Sequence, residues 1–263
     1  MKRIVLLLVL LALVTTLFLN GWVNWSLFSF LLLGLALAYL FSWALRNMVG
    51  SKELALLASL SALAALGRVP FAALPGVQPT TFLVICSGMV FGPQAGFLVG
   101  VTAALVSNFF LGHGPWTPWQ MLGWGLIGLS AAVLARINKR PAPILIGLFG
   151  LIGGFLFGWL QNLGFWLSFV YPLTLGSFLA TCASSILFDG AHALSNLLLC
   201  WGLYRPVTDI LTQFKNRLFY QREATGIPEE QNLQVPGGHP GKPESATGLK
   251  ANRGFSGKQR DFF

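Results

Sequence analysis

Asp189 and His192 stand three residues apart in the run FDGAHALSN, with Ser195 and Asn196 following one turn on. On a helix that spacing puts them on one face, and a carboxylate beside an imidazole has the parts for general acid–base work. A membrane enzyme using Asp189 and His192 is therefore one reading. Other catalytic frameworks are missing from the sequence. Gly241-Lys242 is followed by Pro243, so no G-x-x-x-x-G-K-[ST] exists and the chain does not hydrolyse nucleotide through a P-loop. Neither H-E-x-x-H nor G-x-S-x-G occurs. Cys86, Cys182 and Cys200 lie far apart in apolar stretches without a CxxC, which suits small packing residues rather than a disulfide framework or a metal site. No cofactor is implied.

The elements that must hold Asp189 are those of a bilayer. Hydrophobic residues make up 55% of the chain, charged residues only 10%, and the mean hydropathy is +0.69. Globular chains carry about 25% charged residues, so the chain reads as an all-α integral membrane protein. A hydrocarbon core roughly 30 Å thick takes about 20 apolar residues per helix. Such runs recur, broken by short stretches of Gly, Pro, Asn and Arg. In lipid a carboxylate costs at least about 2.5–3.5 kcal/mol. Asp189 must then face a partner or a cavity: either a structural Asp189–His192 pair fixes a helix, or the two line a ligand pocket. The second reading is preferred.

Residues 1–50 read as a two-helix hairpin, Ile4–Leu19 and Trp25–Leu45, whose first segment resembles a signal anchor but lacks an A-x-A-like cleavage site. Residues 51–206 form the main membrane domain. Its helices are expected at Leu54–Leu66, Thr80–Phe91, Ala95–Leu111, Trp116–Ala135 and Ile144–Trp166. A last stretch, Leu173–Tyr204, is too long for one upright helix and should divide into a short outer segment before Asp189 and a span from Gly190. Residues 207–263 read as a cytoplasmic amphipathic segment followed, from Arg222, by a tail too poor in aliphatics to fold.

About eight crossings, with Lys2 inside, put Lys2, Arg3, Arg46, Lys52, Arg136, Lys139, Arg140, Arg205, Lys215 and Arg217 on the cytoplasmic side. Both termini then lie in the cytoplasm of a multi-pass plasma-membrane protein. The net charge of +9 lies mainly between apolar runs, where it sets topology, and nucleic acid is not an expected partner. Arg68 is the one exception on the outer side. The outer loops and helix ends also carry Gln78, Thr80, Thr81, Asn108, His113, Trp116, Trp119 and Gln120. Trp116 and Trp119 suit an interfacial belt. Aromatics beside amides and hydroxyls also suit a site for a large planar ligand. Arg68 is easiest to explain beside Asp189 or an anionic ligand.

Ala58 and Ala62 form A-x-x-x-A on the first core helix, flanked by Ala55, Ser59 and Ala65. Small residues four apart let another helix approach closely in lipid. Together with GRVPFAALPGVQPTTF, GMVFGPQAGFLVG, SNFFLGHGPWTPWQ and FDGAHALSN, this motif resembles the substrate-binding S components of energy-coupling factor (ECF) vitamin transporters over Lys52–Tyr204. The resemblance implies a six-helix core with an outer ligand pocket. It also implies partners: a membrane coupling (T) protein, which Ala58 and Ala62 would meet, and two cytoplasmic ATPases. PTTF and GPWTPWQ look most like S components associated with cobalamin or a related corrinoid; another vitamin, such as riboflavin, is the alternative.

Overall fold

Proline and glycine set most of the helix boundaries. The computed structural model describes residues 25–46 and 51–225, which form eight α-helices and no strand. These are α1 (Trp25–Arg46), α2 (Ser51–Leu66), α3 (Thr80–Phe91), α4 (Pro93–Leu111), α5 (Thr117–Ile137), α6 (Pro143–Phe169), α7 (Leu175–Ser184) and α8 (Ile186–Thr225). Gly92, at φ +94°, ends α3 and hands the chain to Pro93 in the first turn of α4. That proline needs no backbone donor there. Pro143 opens α6 in the same way, and a Thr174–Ser177 capping box opens α7.

Among the described residues, five helices are long and apolar enough to cross a membrane: α1, α4, α5, α6 and α8. At 12 residues α3 rises only about 18 Å. It sits among α2, α4, α5 and α6, and its residues from Thr80 to Gly88 are buried apart from Leu83. Facing protein rather than lipid, it does not have to match the thickness of the hydrocarbon. The core runs through these interfaces, with Val84, Ile85, Phe97, Val99 and Trp124 wholly enclosed.

On α6 the usual arrangement of side-chain size is inverted. Leu148, Ile152, Leu156 and Trp159 are exposed, while Gly147, Gly150, Gly154 and Gly158 face α8. Large side chains meet lipid tails and small ones let two helices pack closely.

The last stretch departs from its expected boundaries. α7 ends at Ser184 and α8 begins at Ile186, so Asp189 lies in the first turn of α8, upstream of the Gly190 start expected for the span. The helix also passes Tyr204 and contains Pro206. A proline there removes one backbone bond, yet tertiary anchors hold the continuation. Tyr204 and Leu211 are buried, and Lys215 Nζ donates to the Val90 carbonyl at 2.8 Å, near the C-terminal end of α3. Expectations for the Ile4–Leu19 segment and for the tail beyond residue 225 lie outside the described residues.

Candidate ligand-binding site

Where the loop after α2 meets α5, α6 and the start of α8, a cavity of about 340 Å³ opens. Arg68, Gly76, Gln78, Gln120, Phe157, Gly158, Gln161, Asn162, Ser184, Ser185, Phe188, Asp189 and His192 line it.

Arg68 fixes the base of the loop. Its Nε donates to Gln78 Oε1 at 2.8 Å, and its Nη1 donates to Ser107 Oγ at 2.7 Å and Asn108 Oδ1 at 2.9 Å. The guanidinium carbon lies 4.8 Å from the centre of the Trp124 ring, a cation–π distance. Burial pushes the guanidinium down to about 10, which leaves it a cation at neutral pH. Asn108 carries the network onward, its Nδ2 donating to Thr117 Oγ1 at 2.9 Å and Gln120 Oε1 at 2.8 Å.

A second network fixes His192. Its Nδ1 lies 2.9 Å from the Gly76 carbonyl, which can only accept, so Nδ1 carries the proton. Nε2 then accepts from the Thr81 hydroxyl at 3.2 Å, and Thr81 Oγ1 accepts from Trp124 Nε1 at 2.9 Å. Gly76 has φ +76°, and a Cβ there would stand 2.7 Å from the Phe188 carbonyl. Only glycine lets the loop lie against α8 at this point.

Asp189 is held differently. Its Oδ2 accepts from Ser185 Oγ at 2.8 Å and Asn162 Nδ2 at 3.3 Å, and the carboxylate lies over Gly158 of α6. Asp189 and His192 share a face without bonding to each other, and the bonds of Arg68 go to Gln78, Ser107 and Asn108 rather than to Asp189. The cavity thus has a cation on one wall, a carboxylate on another, and aromatic Phe157 stacked on Trp124 at 4.6 Å.

Of the residues singled out in the sequence, Arg68, Gln78, Gln120, Asp189 and His192 reach the cavity wall. Thr81 and Asn108 lie behind it and orient His192 and Arg68. Thr80 is turned away, donating to the Ala64 carbonyl at 3.0 Å, because a buried hydroxyl in lipid can take a backbone partner. His113 is exposed and packs edge-on against Phe109. Trp116 and Trp119 line a separate cavity of about 40 Å³ with Gln161 and Phe165. Asn196 is buried between α8 and the Gly150–Gly154 part of α6, away from the wall. The sequence reading did not single out Phe157, Gly158, Gln161 and Asn162 of α6. Gln161-Asn162, two adjacent amides inside a long apolar run, carried the same signal that marked Asp189.

Residues 52–205, which include every residue of the cavity wall, match the family model for the ECF transporter substrate-specific component. The chain belongs to that family. Among curated proteins, this S component is 29% identical to a UPF0397 protein of Aliivibrio salmonicida over 114 residues, 41% of this chain and 61% of the relative. It is 26% identical to the UPF0397 protein YdcD of Lactococcus lactis over 150 residues, 56% of this chain and 62% of the relative. The chain thus spans about three fifths of the length of these relatives. No solved structure matches it significantly.

Proposed function

We propose that this S component binds a small vitamin-class solute in the 340 Å³ cavity and hands it inward when partner chains hydrolyse ATP. One observation carries the reading: Arg68 and Asp189 line the same cavity without neutralising each other. Largely enclosed charges kept apart are expensive unless a ligand or solvent meets them. A solute with an acceptor toward Arg68 and a donor toward Asp189 would use both.

Cavity size bears on the ligand. At about 340 Å³ it lies at the small end of the roughly 300–1,000 Å³ typical of small-molecule sites. A corrinoid is several times larger. This supports a smaller vitamin over the cobalamin suggested by the motifs. The enzyme reading is weaker, because both ring nitrogens of His192 are already engaged, leaving neither free to move a proton.

Ala58 and Ala62 are exposed along one side of α2 with Ala55 and Ser59, while Ala65 is buried. This supports docking of a membrane coupling protein on that face, with two cytoplasmic ATPases behind it. The charge distribution supports cytoplasmic termini and a plasma-membrane location.

The test is mass spectrometry of whatever small molecule co-purifies with the detergent-solubilised protein, repeated on Asp189→Ala. A bound solute that disappears in the variant supports the reading. Equal retention by Asp189→Ala would remove Asp189 from the site.

A further inference from the structure

The two ends of the α6–α8 seam are built differently. A Cβ at Gly158 would meet Asp189, at Gly154 Ala193, at Gly150 Asn196 and Cys200, and at Gly147 Leu197 and Trp201. The helices therefore run antiparallel in steady register. One more turn of that register brings Arg205 of α8 level with Pro143, the first residue of α6. This end lies about 22 Å along α6 from Gly158 and the solute cavity.

Three cations gather there. Lys139 and Arg140 are exposed in the short loop leading into Pro143, and Arg205 is exposed on α8. Pro141, wholly buried, pins the loop to the bundle, and the Arg140 N–H donates to Asn138 Oδ1 at 3.2 Å. The loop holds no acid, and the nearest one on α8, Asp209, comes a full turn after Arg205. Apolar surface stands directly beside this charge. Ile144 and Leu148 of α6 and Leu198 and Trp201 of α8 are all exposed along the flank of the seam. Gly147, buried and without a side chain, leaves a groove between the two ridges.

Cations over an apolar groove match an amphiphile with an anionic head and hydrocarbon chains. Lys and Arg near a membrane surface each favour anionic lipid by about fivefold. An indole suits the level where headgroup meets chain. We infer that this end of the α6–α8 seam is a binding site for an anionic phospholipid, its phosphate drawn to Lys139, Arg140 and Arg205 and its acyl chains lying along Ile144, Leu148, Leu198 and Trp201. On the orientation proposed above, the lipid belongs to the cytoplasmic leaflet. Bound there it bridges α6 and α8, the helices that carry Gly158 and Asp189 at their other end. The site is separate from the solute cavity and does not depend on which solute is carried.

The test is native mass spectrometry of the full chain in detergent, titrated with phosphatidylglycerol or with phosphatidylcholine of the same acyl chains. Wild type should hold phosphatidylglycerol about tenfold or more the tighter. Arg205→Gln and Lys139→Gln/Arg140→Gln should lose about fivefold of that affinity per cation removed, with phosphatidylcholine binding unchanged. Arg217→Gln is the control: this exposed cation lies about 18 Å further along α8 and should leave the affinity as in wild type. Thermal unfolding without lipid checks that each variant folds. Added phosphatidylglycerol should raise the melting temperature of wild type but not of Lys139→Gln/Arg140→Gln/Arg205→Gln. Equal binding of the two lipids overturns the inference. So does an Arg217→Gln loss as large as that of Arg205→Gln, which would mark a diffuse field of positive charge rather than a site.

Discussion

A methyl group added at residue 158 would meet the carboxylate of Asp189, because the two are in direct contact across the α6–α8 interface. Gly158→Ala should therefore displace Asp189 from Ser185 and Asn162, at a cost of about 1–3 kcal/mol for the overpacking. Solute binding should weaken along with thermal stability, read by calorimetry and by melting. By contrast, Thr80→Val should leave binding near wild type while costing about 1 kcal/mol, since Thr80 serves the Ala64 carbonyl and not the cavity. At this scale the ionisable candidates were legible in the sequence except for His113, which stays exposed beside Phe109. Arg68, Asp189 and His192 stood out because ionisable groups are costly in lipid, and all three reach the wall. Neutral polar groups were ambiguous. Thr80 and Asn196 looked the same as Gln78 and Gln120 in the sequence, and only packing separates the two pairs.

Among the elements, α8 shows how tertiary contacts override a local breaker. The span was expected to end at Tyr204 and to give way to a separate cytoplasmic amphipathic segment, yet one helix runs through Pro206 to Thr225. The information that keeps it going is non-local: Lys215 reaches Val90, 125 residues away. Lys215 also meets the negative end of the α3 dipole. Lys215→Met should lower the melting temperature by a few degrees, a loss of about 1 kcal/mol, without changing solute affinity. The short α3 was legible at its observed bounds, Thr80–Phe91, and its burial among four helices explains why 12 residues are tolerated. α6 was legible as a span but not as a site wall, because its alternation of glycine and large apolar residues resembles ordinary membrane packing.

For the whole molecule, surfaces with separate tasks imply separable defects. Ala58 and Ala62 lie on an exposed face of α2, whereas the cavity is built from the loop after α2, α5, α6 and α8. Ala58→Leu should spare solute binding while reducing recovery of the coupling protein and ATPases when the chain is co-expressed with them and affinity-purified. The all-helical membrane architecture was legible from apolar run length alone. The size of the cavity was not, because volume depends on how closely helices pack, and run length carries no record of that.

The loop between α2 and α3 is tied down twice, by Arg68 to α4 and by the Gly76 carbonyl to the ring of His192. The second tie joins two residues of the cavity wall, Gly76 of the loop and His192 of α8. Replacing His192 with phenylalanine removes that tie and should shorten the solute's residence time more than it slows entry. Stopped-flow release measurements would read that asymmetry directly.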